Sequence, residues 1–332
     1  METFASLGKM EAVQRLFEGT GYRPFEESPI FQCTSDRSYI TTCARTFLEG
    51  IDFDLVYFPL KHLGYKCTLA VVSQLYAALS HPKTIKVCLG VSAKLDYEQI
   101  AELWSGVVSA AKYFGFVGLA LDIEPSKNGL SISMSAVGET VELTQKRRSK
   151  AHSKDLICIS GPVGAAYLGQ ALLNSEKRHF ETGSVKTEMI EKYKMVVAAY
   201  LRPELSNGIL EHLEDAGIYP SFGYSVDKGL ADAVLRLCRD SGLGAKIYAE
   251  KLPFEGGSFD LGSELNIDPI SAAMNGGDDY RVLFTIPITA LETFRRDFQT
   301  FEIIGHLAQE DVGAVLLTRD GIEFPLKAQG WQ

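Results

Sequence analysis

Four short stretches carry carboxylates in loop-like or strand-end surroundings: "FEESP" at 25–29, "ALDIEP" at 120–125, "SVDKGL" at 225–230 and "NGGDDY" at 275–280. Carboxylates of this kind are hard oxygen donors that can hold magnesium or a substrate, and neighbouring glycines let backbone approach a ligand closely. Asn, Gly and Asp are also the ordinary residues of a turn before a strand. Taken singly, each stretch reads as a solvated turn. Spread over both halves of the chain, the four make a site only where the fold collects them.

Other chemistries lack their residues. The six histidines are scattered, and no serine or cysteine nucleophile stands in an elbow or caspase-like context, which argues against acyl transfer. There is no Walker A lysine stretch and no GxGxxG after a strand, so neither common phosphate loop is indicated.

The elements that must position these carboxylates alternate between helix and strand. Met10, Val13, Leu16 and Phe17 have helical spacing, residues 38–46 are β-prone, and 59–80 reads as a helix with Leu60, Leu63, Leu75 and Leu79 on its apolar stripe. Ile85, Val87, Leu89 and Val91 alternate as in a half-buried strand, and Ile100, Leu103, Trp104, Val107 and Val108 define a further helix. Strands follow in "GFVGLALDI", "LSISMSAVGE", "DLICISG", "AKIYAEKL" and "YRVLFTIP", with helices from Gly164, at 187–198, at 206–216, from about 229 to Ser241 and before Asn275. This is a mixed α/β pattern, with a polar "TQKRRSKAHSK" between two patterned halves.

Length and composition agree with two globular domains: 332 residues, 46% hydrophobic and 23% charged. The net charge of −9 and the isolation of "QKRRSK" at 145–150 exclude a general nucleic-acid surface. The cysteines at 33, 43, 67, 88, 158 and 238 form no CxxC pair, which points to reduced thiols and a cytoplasmic setting. The N-terminal residues lack the pattern of a signal peptide, and no apolar run is long enough to span a membrane.

"LEGIDFDLVYFPLKHLGYK" at 48–66, "DLICISGPVGAAYLG" at 155–169, "NGGDDYRVLFTIP" at 275–287 and "KAQGW" at 327–331 occur in an order that resembles the thiamine-monophosphate kinase family over nearly the full length. The resemblance implies a two-domain aminoimidazole ribonucleotide synthetase-like fold, with an N-terminal α/β domain at 1–145 and a C-terminal α/β domain at 146–332. It implies that N-terminal strands form a barrel across a homodimer. It also implies ATP-dependent phosphorylation of thiamine monophosphate, with several magnesium ions held by aspartates. Moving a phosphoryl group between two phosphorylated molecules crowds negative charge, which magnesium neutralises while the protein fixes an in-line geometry.

Against that pattern the chain departs repeatedly. Glu26 and Glu27 replace paired aspartates, Arg45 stands at a metal-ligand position, and Gln74 replaces an aspartate shared by several metals. Ser225 and Lys228 take two acidic positions, while Asp227 takes a serine position and becomes a ligand or catalytic group only with a one-residue slip. Asp122 survives as a metal and nucleotide ligand, but Ala120, Leu121 and Ile123 fill a glycine-rich stretch. By the same resemblance Arg148 contacts ATP, and Asp52, Asp278 and Trp331 face the substrate. The expectation is a kinase-like pseudoenzyme that acts by binding a phosphorylated ligand or a protein partner. The alternative is an active kinase using Mg2+ and ATP, with a rearranged metal site of Glu26, Glu27, Asp122 and Asp227.

Overall fold

A computed structural model describes residues 7, 12, 15–22, 38–181, 187–298 and 301–328. Its contacts divide the chain into two compact units, one of Met1–Leu75 with Ser80–Glu142 and one of Tyr76–Leu79 with Leu143–Gln332.

Unit 1 runs β1 (Ser38–Leu48), α1 (Leu60–Ala77, whose last two residues cluster with unit 2), β2 (His81–Ser92), α2 (Tyr97–Tyr113), β3 (Gly118–Ser126) and β4 (Ser131–Val141). The four strands lie in the order β1, β4, β2, β3, with β2 and β3 parallel and the other pairs antiparallel. The alternation expected for β2 is present: Ile85, Val87, Leu89 and Val91 are buried. A parallel pair needs a crossover, and α2 supplies it between β2 and β3. Its start is set by a capping box, in which Asp96 accepts from Gln99 N while the Gln99 side chain accepts from Asp96 N. Ile100, Leu103, Trp104, Val107 and Val108 then form its buried stripe, as their spacing requires.

Unit 2 begins with α3 (Glu142–Arg147, whose first residue clusters with unit 1), β5 (Leu156–Ile159), α4 (Ala165–Glu181), α5 (Thr187–Lys192), α6 (Lys194–Leu201) and α7 (Ile209–Asp215). It continues with β6 (Phe222–Val226), α8 (Leu230–Ser241), β7 (Gly244–Tyr248), α9 (Ser258–Leu265), α10 (Pro269–Asn275) and β8 (Arg281–Ile286). It ends with α11 (Leu291–Asp297), β9 (Glu302–Ala308), β10 (Ala314–Leu317) and β11 (Glu323–Pro325). The sheet order is β11, β10, β7, β9, β5, β8, β6. β5 lies inside it between β9 and β8, and Ile157, Cys158 and Ile159 are fully buried. α8 packs on this sheet: Leu230, Ala231, Ala233, Val234 and Leu237 join Ile157, Val226, Ile247 and Leu283 in one core cluster.

Two details depart from the sequence pattern. The helical run expected at 187–198 is divided at Tyr193, which has φ −109° and separates α5 from α6. The strand "AKIYAEKL" ends at Tyr248, where Ala249–Lys251 tighten into a single 3-10 turn. Among the described residues, no helix is long and apolar enough to cross a membrane.

Candidate functional site

Three of the quoted stretches meet at one end of the unit 2 sheet. The carbonyls of Val226 and Asp227, at the end of β6, accept from Tyr280 N at 2.9 Å and Asp278 N at 3.0 Å. These bonds carry the pairing of β6 with β8 past its last register partners, Val226 and Arg281. "SVDKGL" and "NGGDDY" are therefore adjacent, and two glycines make the approach possible. Gly277 has φ +81°, and a Cβ there would lie 2.8 Å from the Asp227 carbonyl oxygen. Gly229 has φ +92°, and a Cβ there would lie 2.4 Å from the Met274 carbonyl oxygen. An L side chain is strained at both positions whatever its polarity.

The paired carboxylates of "NGGDDY" point to different tasks. Asp278, at φ +62°, accepts a hydrogen bond from the Tyr280 hydroxyl at 2.7 Å. Asp279 is buried and turns to the third stretch, "ISGPVGAA": its Oδ2 accepts from Gly164 N at 2.8 Å and its Oδ1 from Ala166 N at 3.3 Å. These are orphan donors at the start of α4. Burial pushes the Asp279 carboxyl up to about 7, against the opposing pull of the Gly164 N–H and the Arg281 guanidinium. Arg281 itself donates to the carbonyls of Pro162, at 3.1 Å, and Glu204.

Beside this junction Arg236 gathers the remaining acids. Its Nη2 lies 2.8 Å from Asp232 Oδ2 and 3.4 Å from Asp227 Oδ1, and it donates to the Ser225 carbonyl at 3.0 Å. The guanidinium also lies 5.3 Å from the Tyr224 ring centroid. Lys228, between these groups in sequence, is exposed. Magnesium, which the resemblance implies, does not fit the Asp227 and Asp232 pair, because a permanent cation already bridges these two. Among the described residues no group of three or more His, Cys, Asp or Glu is arranged to hold a metal ion.

Arg148 lies elsewhere. Its Nε donates to the Pro220 carbonyl at 3.0 Å and its Nη2 to the Ser221 carbonyl at 2.9 Å, just before β6 begins. Asp227 follows the other end of that strand, roughly 17 Å away for five residues at ~3.3 Å each. The fold thus brings together Asp227 and Asp278 but keeps Arg148 at the opposite strand end.

In unit 1, Asp122 is half-buried on β3 opposite Cys88, and its Oδ1 accepts from Ile123 N at 3.1 Å. Ala120, Leu121 and Ile123 around it are buried. Arg45, on β1 opposite Met134, holds its guanidinium 5.0 Å from the Phe47 ring centroid. Gln74 is half-buried on α1. Asp52 closes the turn after β1: its Oδ2 accepts from Leu48 N at 2.8 Å, and its own N–H donates to the Leu48 carbonyl at 2.9 Å. Glu26, Glu27 and Trp331 lie outside the described residues.

Sequence reading did not single out Asp279, Asp232, Arg236 or Arg281. For one pair a local signal exists, since Asp232 and Arg236 are four apart on a helix and share a face.

No family model matches the chain. Curated relatives do. The thiamine-monophosphate kinase of Aquifex aeolicus (strain VF5) is 26% identical over 262 residues, 79% of either chain. That of Bacillus subtilis (strain 168) is 23% identical over 295 residues, 87% of this chain and 86% of the relative. Among solved structures, AaThiL complexed with AMPPCP and TMP superposes with a TM-score of 0.70 at 21% identity, covering 98% of this chain and 97% of that one.

Proposed function

Since the chain belongs to the thiamine-monophosphate kinase family as a divergent member, we propose that it keeps the family's binding framework while magnesium-dependent phosphoryl transfer is lost or weak. One observation carries this reading: in "SVDKGL", where the family resemblance leads one to expect two acidic ligands, Ser225 and Lys228 stand at those positions, and the remaining acid, Asp227, shares Arg236 with Asp232 of the next helix. Phosphoryl transfer from ATP to a second phosphate needs mobile, multivalent charge that bridges the reacting oxygens. An arginine between two carboxylates answers the charge with which that pair would otherwise attract magnesium.

In this reading the protein acts by binding a phosphorylated ligand, with thiamine phosphate as the first candidate, or by binding a protein partner. Asp278, Asp52 and Trp331 are the proposed substrate-side contacts, and Asp122 and Arg148 the proposed nucleotide-side residues. The working location is the cytoplasm.

The alternative, an active kinase with metal ligands drawn from Glu26, Glu27, Asp122 and Asp227, is favoured by the retained, half-buried Asp122 on β3 and by the activity in the names of the relatives. Calorimetric titration with Mg-ATP and with thiamine monophosphate, followed by a turnover assay, separates the two. Binding without turnover is the expected result. Magnesium-dependent formation of thiamine diphosphate overturns the proposal, and binding of neither ligand transfers the role to a protein partner.

A homodimer is part of the same proposal. Among the described residues β1 is an edge strand of eleven residues, and Tyr39, Ile40 and Leu48 on it are exposed. A long apolar edge is a template for pairing with another chain. Sedimentation of the full chain is expected to give a dimer that Ile40→Lys weakens, and a monomeric wild type overturns this part.

A further inference from the structure

Asp227 and Asp232 come from different elements, the loop after β6 and the first turn of α8, yet both reach one nitrogen, Nη2 of Arg236. Their side chains are only 13% and 8% exposed, so bulk water answers little of either charge. Two such carboxylates directed at one place repel unless a cation lies between them. We propose that Arg236 is the resident cation of this pair, a positioning residue that holds Asp227 and Asp232 together and keeps a divalent metal ion out of unit 2. The inference rests on the loss of magnesium-dependent transfer proposed above and names the residue responsible for it within this unit.

How the guanidinium is used supports this. Nη2 reaches Asp227, Asp232 and the Ser225 carbonyl, while Nε is buried with no hydrogen-bond partner among the described residues. A guanidinium chosen for bidentate recognition would engage its whole fork. Here Nε stays outside the hydrogen bonding and Nη2 reaches both acids, a role that an ammonium can share. Tyr224 holds the group from the sheet side, and its hydroxyl is in turn fixed by Asp240 Oδ2 at 2.8 Å, one helical turn beyond Arg236.

The test is Mn2+ binding to the full chain, read by electron paramagnetic resonance of the free ion. Wild type is expected to have no Mn2+ site that depends on Asp227. Arg236→Met is expected to bind Mn2+ at least about tenfold more tightly, because it removes the cation that both carboxylates reach and opens its place to another. Adding Asp227→Asn should abolish that gain, and Arg236→Lys should behave as wild type. A folded Arg236→Met protein with no gain overturns the proposal. So does a wild-type Mn2+ site lost in Asp227→Asn.

Should Arg236→Met fail to fold, the wild type still decides. With substoichiometric Mn2+, the amide resonances of Asp227 and Asp232 are expected to stay sharp, and selective broadening of these two overturns the proposal. Thiamine diphosphate formation by wild type, by contrast, overturns the functional reading and leaves the Mn2+ result to judge Arg236 on its own.

Discussion

Asp279 and Gly164, 115 residues apart, are joined by a 2.8 Å hydrogen bond from the glycine N–H to the aspartate Oδ2. The bond ties the start of α4 to the loop that leads into β8. The same loop is tied to β6 through Asp278 N and Tyr280 N. One of two adjacent carboxylates therefore serves as a framework group, and its position fixes the backbone that presents the other.

Removing the Asp279 carboxylate should be costly. Asp279→Ala leaves the buried Gly164 and Ala166 N–H groups without their acceptor, and loss of a helix cap costs about 1–2 kcal/mol, with more where the donors cannot reach water. Asp279→Asn keeps one acceptor oxygen and should lose less. Urea unfolding of the three proteins checks the order, and an alanine variant as stable as wild type would remove Asp279 from the framework.

Gly277→Ala is expected to destabilise by roughly 1–3 kcal/mol, since the new Cβ meets a backbone oxygen and φ is positive. The strain falls on the contact between Gly277 and the Asp227 carbonyl. Ligand binding through Asp278 should weaken with it, because the Asp278 N–H to Asp227 bond follows at the next residue. Calorimetry of the variant with thiamine monophosphate reads the second effect, and unchanged affinity would detach Asp278 from the ligand.

Much of this arrangement is legible in the sequence, and the part that is not has a physical cause. Period-two burial in β2 and the stripe of α2 follow from local spacing, because each depends on neighbours a few residues away. The choice between Asp278 and Asp279 does not. Both are carboxylates on one loop, and which turns inward is decided by the left-handed backbone at Asp278 and by donors more than a hundred residues upstream. Arg236 is legible in half: its pairing with Asp232 is an ordinary helical i, i+4 contact, whereas its reach to Asp227 depends on how α8 lies against β6. Arg148 could be aligned with a nucleotide contact, but two carbonyls ahead of β6 occupy its guanidinium.

Arg148→Met separates a framework role from a ligand role. The wild-type guanidinium satisfies the Pro220 and Ser221 carbonyls, and charged hydrogen bonds of this kind contribute about 1.5–3 kcal/mol each before the survivors relax. A loss of roughly 1–3 kcal/mol in unfolding free energy is expected. Mg-ATP titration of the same variant, at a temperature where it is folded, gives the second readout. Loss of heat on binding with little change in stability would make Arg148 a nucleotide residue first.

The last prediction concerns pH. The Asp279 carboxyl is pushed up to about 7 because it is fully buried, with Asp278 nearby adding to the rise and Arg281, Gly164 N–H and Ala166 N–H opposing it. Its unfolded value is that of an ordinary aspartate, ~3.9. Between these limits the native protein keeps a proton that the unfolded chain has released. Stability contributed by Asp279 is therefore full below about pH 4, declines as pH rises, and levels off above about pH 7. Asn does not titrate, so the difference in unfolding free energy between wild type and Asp279→Asn should fall from pH 4 to 7, with a slope of at most about 1.4 kcal/mol per pH unit. Urea denaturation at several pH values measures it directly. A difference that grows with pH would mean that the two amides and Arg281 outweigh burial, and that the cap works as a full carboxylate.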